Sequence, residues 1–164
     1  MEGFKIRKAT KDDCSEILLM IKELAAFEEM PSDVVKISEE TLIEDGFNSN
    51  PPFFHAAMAD LDGVSVGYVV YYYCYSAFQG GQLLYLEDLY VKESYRGKGY
   101  GKKLLKYLME EAMRQECVCM QWCVLNWNIK AIDFYKSLGA YDLTLKDNIH
   151  MYRLYQDTMK KLVA

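Results

Sequence analysis

The sequence lacks any apolar run long enough to cross a membrane. Its longest, YVVYYYCY at 68–75, has eight residues, whereas a membrane-spanning helix needs about 20. The start of the chain, MEGFKIRKATKDD, also lacks the apolar core of a secretory signal. We therefore expect a cytoplasmic protein that does not insert into membranes.

Metal-binding patterns are also scarce. The chain has five cysteines and two histidines, and the spacing of Cys117, Cys119 and Cys123 could suggest zinc. Paired Cys-x-x-Cys motifs are missing, and His55 and His150 lie far from these cysteines in the sequence. We expect reduced thiols, as in intracellular proteins, and no metal.

An excess of positive charge is missing too. The net charge is −5 and the isoelectric point is near 5.1. Nucleic-acid binding depends on a cationic surface, so we expect no nucleic-acid partner. An acidic surface suits a small cationic substrate.

The chain also lacks linkers, repeats and low-complexity segments. At 164 residues, of which 51% are hydrophobic, it can bury a core of its own. We expect one domain over residues 1–164.

Periodicity and capping residues predict a mixed α/β domain with partly parallel strand pairing. Thr10 with Asp13 predicts one helix start, and Asn128 predicts another, in a helix that ends at Leu138 before Gly139. Glu110 and Arg114 are predicted to pair on an exposed helix face. The predicted order is strand 4–7, helix from Thr10, helix from Ser38 to about Gly46, strands 54–60, 64–75 and 82–91, helix from about Gly99, strand 119–125, helix 128–138 and strand 148–155.

A glycine- and lysine-rich turn follows the third long strand, with the spacing Arg96-x-x-Gly99-x-Gly101. Residues 95–106 contain five basic side chains and no acidic one. Such a loop before a helix can bind an anion through its backbone N–H groups. Lys102 and Leu104 break the Rossmann and Walker patterns. By itself the motif is equally compatible with an ordinary turn before a solvated basic helix.

This turn, the element order and NWNIKAIDFYKSLGA at 126–140 resemble the GNAT superfamily of acetyl-CoA-dependent N-acetyltransferases. The stretches IRKATKDDCSEILLMIKELAAFEE, EDGF and LLYLEDLYVKESYRGKGYG resemble its diamine acetyltransferase group, which includes spermidine/spermine and thialysine acetyltransferases. The resemblance implies the GNAT (acyl-CoA N-acyltransferase) fold, a mixed, mostly antiparallel sheet flanked by helices. It also implies acetyl-CoA as cosubstrate, a small primary amine as substrate, and a homodimer.

The same resemblance implies three groups of contacts to acetyl-CoA: the backbone of the strand before the turn, the turn itself, and the start of the helix at Asn128. The residues are Leu89, Tyr90, Val91, Arg96, Gly97, Lys98, Gly99, Tyr100, Gly101, Lys102, Asn128, Ile129, Lys130 and Ala131.

The resemblance assigns catalysis to Glu87 and Tyr135. An ammonium of pKa about 10.4 must lose a proton before it can attack, which costs about 4 to 5 kcal/mol at pH 7. Glu87 would accept that proton, directly or through water, and Tyr135 would protonate the leaving thiolate. Strand alternation places Glu87 and Asp88 on opposite faces, so Asp88 is expected to be structural. Without the family, Glu87 could be part of a strand-end ion pair and Tyr135 a core aromatic residue.

Family positions for the amine substrate are Phe27, Glu28, Glu87, Gln121, Trp122 and Cys123. The loop YSAFQGG at 75–81 carries no charge at Ser76 and Ala77, where the polyamine enzymes are more acidic. The sequence is therefore nearer the thialysine branch, whose substrate resembles lysine.

Two other functions are compatible with the same residues. One is a non-catalytic module that binds acetyl-CoA or a partner, because function resides in a site rather than in a fold. The other is acetylation of lysine side chains in proteins.

Overall fold

The computed structural model describes residues 3–147, 149 and 151–163. Contacts divide the chain into two units, 1–123 and 124–164, and each is described by itself. The expectation of one domain over residues 1–164 stays a prediction.

The first unit contains a five-stranded sheet in the order β1-β2-β3-β4-β5. The first four strands pair antiparallel and β5 pairs parallel to β4. The strands are β1 (Lys5–Lys8), β2 (His55–Leu61), β3 (Val64–Ser76), β4 (Gly81–Val91) and β5 (Cys119–Trp122). The predicted mixed sheet is confirmed. The last strand of this set ends at Trp122, three residues before its predicted end.

Helices of the first unit begin where the capping residues predict. Helix α1 (Cys14–Phe27) follows a 3-10 turn at Lys11–Asp13. The Thr10 N–H group donates to Asp13 Oδ2 at 2.8 Å. Helix α2 (Glu39–Ile43) begins after Ser38, whose Oγ accepts from the Thr41 N–H group at 3.2 Å. One π-helical turn, Glu44–Asn48, follows α2.

One face of the sheet, called here the α1 face, packs against α1 and α2. Its core contains Tyr68, Val70 and Tyr90 from the sheet and Ile17 and Met20 from α1, all almost fully buried. Large apolar side chains at helical spacing on α1 and at alternate positions on the strands produce this contact. The part of the α1 face that packs against α1 is therefore apolar.

Helix α3 (Tyr100–Arg114) packs against the opposite face, called here the α3 face. Its buried stripe includes Leu104, Leu105 and Leu108. A Cβ atom added to Gly101 would lie 3.7 Å from Leu89 Cδ2, in ordinary van der Waals contact. The first turn of α3 therefore lies directly over the end of β4.

On α3 the predicted Glu110–Arg114 pair is replaced by two others. Lys106 Nζ lies 3.5 Å from Glu110 Oε1, and Arg114 instead pairs with Glu111. Glu111 is only 2% exposed and also accepts a hydrogen bond from Tyr73 at 3.1 Å. The buried carboxylate of Glu111 attracts Arg114 more strongly than the solvated carboxylate of Glu110 does.

The second unit contains α4 (Ile129–Ser137), α5 (Leu143–Asp147) and α6 (Gln156–Val163). Asn128 caps α4, as predicted, and Gly139 has a left-handed backbone with φ 81° just after the helix. The strand predicted at 148–155 is wrong for Ile149 and residues 151–155, which have no regular structure; positions 148 and 150 lie outside the described residues. Apolar alternation predicts a strand only where a partner strand is available.

Across the described ranges, none of the helices has both the length and the apolarity that crossing a bilayer requires.

Candidate active site

A β-bulge interrupts β4 at Glu87. Val70 pairs with Asp88 and Tyr71 pairs with Leu86, which leaves Glu87 as the extra residue. A bulge inserts one residue and re-aims the side chains beside it. The extra residue interrupts the alternation of side chains along β4. Asp88 therefore lies on the α1 face with its partner Val70, and Glu87 lies on that face as well. The expectation that Glu87 and Asp88 lie on opposite faces is therefore wrong.

Both carboxylates border one cavity of about 430 Å³. The cavity is formed by the bulge of β4, the second half of α1 and the segment between α1 and α2. Its volume lies within the usual range for small-molecule sites, which is about 300 to 1,000 Å³. It is lined by Ile21, Leu24, Ala25, Glu28, Met30, Val34, Val35, Lys36, Ile37, Glu87 and Asp88.

Asp88 lies at the buried side of this cavity. Its Oδ2 accepts a hydrogen bond from the hydroxyl of the fully buried Tyr68 at 3.1 Å. The pKa of Asp88 is raised to about 6, mainly by burial and to a smaller extent by the charges of Glu87 and Glu28, while the hydrogen bond from Tyr68 lowers it. Burial also raises the pKa of Glu28. Three carboxylates therefore face a cavity in which a cation would be stabilised.

Tyrosines on the same face extend the site toward β5. The rings of Tyr72 and Tyr85 stack with centroids 5.0 Å apart, and the Tyr85 hydroxyl lies 3.2 Å from Cys123 Sγ. Burial and the nearby thiol raise the pKa of Tyr85. Gln121 on β5 and Cys123 just after it, both predicted to bind substrate, thus lie beside this aromatic pair.

The predicted substrate residues of β5 are divided between the two faces. Gln121 pairs in register with Tyr85, and Trp122 pairs with Leu86. Strand alternation therefore places Gln121 on the α1 face and Trp122 on the α3 face. Substrate contact by Trp122 stays a prediction that its face of the strand does not favour.

Strand β4 continues beyond its pairing with β5. The parallel ladder ends at Leu86 and Trp122, whereas β4 runs five residues further, to Val91. Within the described part of the chain, the backbone of 87–91 thus has a strand neighbour only on the β3 side. This open edge includes Leu89, Tyr90 and Val91, the predicted cosubstrate contacts. Tyr90 is only 6% exposed and packs in the core, so such a contact would involve its backbone.

The glycine-rich turn leads from this open edge into α3. Gly97 and Gly99 have φ values of 75° and 82°, a left-handed conformation that other residues adopt only with strain. A Cβ atom added to either would have no neighbour within 4 Å. The space above the turn is therefore open, and the free N–H groups of the first helical turn, Tyr100 to Lys102, point toward its N-terminal end. The residues present fit a pyrophosphate group.

Arg96 has a second role that its motif does not reveal. Its Nε donates to the Val91 carbonyl at 2.9 Å, and its guanidinium lies 4.3 Å from the ring centroid of Phe27 and 5.2 Å from that of Tyr90. These contacts join the turn to the end of α1. Phe27, predicted to bind substrate, is thus covered in part by Arg96.

Lysines surround the start of α3. Lys98 donates to the Ser94 carbonyl at 3.4 Å, and Lys102 is exposed. Lys103 lies 4.5 Å from the centroid of the Phe4 ring, which stacks on Tyr100 at 4.5 Å. The helix dipole and these cations together produce a positive region at the turn.

In the second unit, Asn128 and Tyr135 belong to one helix. Asn128 Oδ1 accepts from the Ala131 N–H group at 3.3 Å. Asn128, Ala131 and Tyr135 are spaced three and four residues apart, and Ile129 and Lys130 complete the first turn of α4. Burial raises the pKa of Tyr135, so the phenol stays protonated at neutral pH.

Comparison with known proteins agrees with these features. The model of the acetyltransferase (GNAT) family matches residues 18–140. The chain belongs to the GNAT acetyltransferase family. It is 45% identical to the thialysine N-epsilon-acetyltransferase of Sus scrofa, over 100% of this chain and 99% of that protein. The predicted enzyme class and fold are therefore confirmed.

Two further relatives show how far the GNAT match extends. The spermidine/spermine N(1)-acetyltransferase-like protein 1 of Homo sapiens is 38% identical over 97% of this chain and 24% of its own length. An integron cassette protein of V. cholerae has a solved structure with a TM-score of 0.77 and 26% identity, covering 99% of each chain. The structural match thus covers nearly the whole chain, and members of the GNAT family use acetyl-CoA.

Of the predicted residues in the first unit of this GNAT chain, Glu87 and Glu28 border one cavity. Asp88 and Lys36 border it too, although no sequence motif assigns either of them to the site. The pattern LEDL gives no local sign of the bulge, because a bulge depends on how β4 pairs with β3. Lys36 lies in a segment without a motif, so only its position in space connects it with the site.

Proposed function

We propose that this protein transfers the acetyl group of acetyl-CoA to the side-chain amine of a small, lysine-like molecule such as thialysine. The observation that carries the proposal is the cavity in which Glu87, Asp88 and Glu28 converge beside the open end of β4. A cavity with three carboxylates suits an ammonium group. Close similarity to a thialysine acetyltransferase supports the same substrate class.

Asp88 and Glu28 would hold the ammonium. Asp88 is mostly ionised at pH 7, because its pKa of about 6 lies below that pH. The hydroxyl of Tyr68, which donates a hydrogen bond to Asp88, is a neutral group, so this contact does not neutralise the carboxylate. An incoming ammonium would remove the repulsion among the carboxylates, and this gain favours binding.

Glu87 would accept the proton that the amine must lose. It is exposed at the bulge and borders the same cavity, so it can reach solvent after receiving the proton. Deprotonation costs about 4 to 5 kcal/mol at pH 7, and a base placed at the amine lowers that cost. The neutral amine nitrogen then attacks the acetyl carbonyl carbon, and the carbon–sulfur bond breaks as the new carbon–nitrogen bond forms. The nitrogen releases its surplus proton to solvent, which leaves the neutral amide.

Tyr135 would donate the proton that the departing thiolate needs. Its pKa, raised by burial, keeps the hydroxyl protonated at neutral pH, which is the form that a general acid requires.

The cosubstrate would bind along the open edge of β4 and over the turn. The backbone of Leu89 and Val91 would pair with its pantetheine arm, and the N–H groups from Gly97 to Lys102 with its pyrophosphate. Asn128 to Ala131 would add further contacts. Acetyl-CoA supplies the acetyl group and a thiolate leaving group.

We also propose that the enzyme is a homodimer. Tyr75 and Phe78, at the turn between β3 and β4, are 73% and 101% exposed. Large aromatic side chains at such exposure are typical of contact surfaces. Sedimentation equilibrium of the wild-type protein and of a Phe78→Ser variant tests this, and a wild-type monomer would contradict it.

A substrate panel tests the proposed function. Purified protein is incubated with acetyl-CoA and with spermidine, spermine, a short diamine, thialysine or lysine, and release of free thiol is followed. We expect the highest kcat/KM for thialysine, since specificity is a ratio of these values. Binding of acetyl-CoA without thiol release for any amine would indicate a non-catalytic module. Turnover only with peptides would indicate a protein-lysine acetyltransferase.

A further inference from the structure

Lys36 shares the cavity with the three carboxylates although it lies on a different segment. It belongs to the stretch between α1 and α2, whose residues Met30, Val34, Val35 and Ile37 also line the cavity. Ile37 packs against the buried core, which fixes the backbone directly beside Lys36. Lys36 thus borders the cavity from a fixed backbone position, and its side chain is 79% exposed, so its ammonium group reaches solvent.

The positive and negative groups of this cavity do not neutralise each other. Among the described residues, Lys36 forms an ion pair with Asp33 and none with Glu28, Glu87 or Asp88. The nearest anion to Lys36 is Asp33, whose Oδ2 lies 3.7 Å from Nζ, and both side chains are about 80% exposed (79% and 82%). Such an exposed pair contributes little and is readily exchanged for another anion.

A cavity with separated charges of both signs suits a ligand with separated charges of both signs. A lysine-like amino acid carries a side-chain ammonium and an α-carboxylate. A polyamine carries only cations, so Lys36 would repel one of its ammonium groups. Discrimination of this kind combines an attraction to one ligand with a repulsion of the other.

We propose that Lys36 is a specificity-determining residue that binds the α-carboxylate of an amino acid and disfavours polyamines. The inference rests on the proposed function, because it names the substrate class of that same site. It assigns no role to Lys36 in proton transfer or in acetyl-CoA binding. Its effect should therefore lie in KM for the amine and not in kcat.

Two matched substrate pairs isolate the carboxylate. Thialysine is compared with bis(2-aminoethyl) sulfide, and lysine with 1,5-diaminopentane; in each pair the second molecule lacks only the carboxylate. The quantity measured is the ratio of kcat/KM for the amino acid to that for the diamine. The variants are Lys36→Gln and Lys36→Glu, with Lys22→Gln as control, since Lys22 is exposed on α1 and does not line the cavity.

We expect the ratio to fall about 10-fold in Lys36→Gln, as for the loss of a charge-assisted contact. It should fall further in Lys36→Glu, because a like charge repels the carboxylate and attracts the diamine. KM for acetyl-CoA should be unchanged in both, and Lys22→Gln should leave the ratio unchanged. Lys36 is largely exposed, so neither variant should alter the far-ultraviolet circular dichroism spectrum.

The outcomes separate the two proposals. Turnover of thialysine with a ratio that does not change in either Lys36 variant would overturn the role of Lys36 and leave the proposed function intact. Absence of turnover with every amine in the wild-type protein would overturn the proposed function and, with it, this inference. An equal fall in kcat for both members of a pair would assign Lys36 to structure and overturn its role in specificity.

Discussion

Two acidic clusters in the first unit differ in one respect, the presence of a protein cation. Near β1, Arg7 Nη1 lies 2.8 Å from Asp13 Oδ2 and its Nε lies 2.7 Å from Asp60 Oδ2. Hydrogen bonding to Arg7 lowers the pKa of Asp13 to about 2. At the bulge of β4, Asp88 accepts a hydrogen bond from Tyr68 and forms no ion pair with a described residue, and burial raises its pKa to about 6.

The comparison shows how the same residue type acquires different roles. A carboxylate with an internal cation stabilises the fold, because its charge is satisfied when the chain folds. A partly buried carboxylate without one destabilises the fold and becomes satisfied only when a cation arrives from outside. Strongly perturbed groups in a cavity are typical of functional sites. The Asp88 cluster therefore has the properties of a binding site, whereas the Arg7 cluster has those of an ion-pair cluster that stabilises the fold.

The largest expected effect is on turnover. Glu87→Gln removes the proposed base while keeping the size of the side chain. We expect kcat for thialysine to fall about 100- to 10,000-fold, the usual contribution of general base catalysis. The matched control is Glu16→Gln, whose carboxylate pairs with Lys92 at 2.5 Å and which should retain kcat. Retained turnover in Glu87→Gln would remove Glu87 from the mechanism.

The second effect is on stability. Asp88→Asn removes a charge that the folded state disfavours. Because the folded pKa of about 6 lies above the ordinary aspartate pKa of 3.8, this cost is absent below about pH 4 and develops as the pH rises to 6. At pH 7.5 we expect a gain in the free energy of unfolding of up to about 3 kcal/mol, with a fall in kcat/KM for the amine.

Urea unfolding at pH 4.5 and 7.5 checks the Asp88 prediction. The control Asp33→Asn, at an exposed position, should change the free energy of unfolding by less than about 0.5 kcal/mol at both pH values. A loss of stability in Asp88→Asn at pH 7.5 would show that the charge of Asp88 is already satisfied within the protein.

The third prediction tests whether a lysine added inside the cavity gives the Asp88 cluster the internal cation that the Arg7 cluster has. Ala25 lines the cavity, whereas Ala26 is its exposed neighbour on α1. Ala25→Lys introduces an internal cation near Asp88, so the pKa of Asp88 should fall below 6 and KM for thialysine should rise about 10-fold, equivalent to about 1.4 kcal/mol. Ala26→Lys adds the same charge outside the cavity and should leave KM unchanged. Equal effects of both variants on KM would exclude a local electrostatic cause.

The smallest expected effect concerns the Arg7 cluster. Asp13→Asn weakens the pair with Arg7, and we expect a loss of about 1 kcal/mol in the free energy of unfolding at pH 7. Since the folded pKa of Asp13 is about 2, against an ordinary aspartate pKa of 3.8, its stabilisation is present above about pH 4 and is lost as the pH falls through 2. Thermal unfolding from pH 7 to pH 3 measures this difference, which should shrink toward the acidic end. Activity at pH 7 should not change, in contrast to Asp88→Asn.

Helix boundaries were predictable from the sequence because their signals are local. The hydrogen bonds of Thr10 with Asp13, Ser38 with Thr41 and Asn128 with Ala131 each span three residues. The left-handed Gly99 before α3 is local in the same way. Signals that involve a few neighbouring residues are present in the chain before any tertiary contact forms.

The strand at 148–155 was mispredicted for the opposite reason. Its apolar alternation is local, but a strand also needs a partner whose backbone groups pair with its own. In the described part of 148–155 no such pairing occurs, and a helix follows at Gln156–Val163. The division of Gln121 and Trp122 between two faces likewise depends on their register with β4.

By itself the sequence determined the order of the elements as far as α4, the helix caps and the glycine turn before α3, since these follow from neighbouring residues. Tertiary structure alone decided that Glu87 and Asp88 face one cavity, that Arg96 packs on Phe27, and that Lys36 lies at the same cavity as the carboxylates. The physical reason is that strand register, bulges and burial arise from contacts between distant segments. The same contacts set the charge environment of Asp88, which neighbouring residues do not determine.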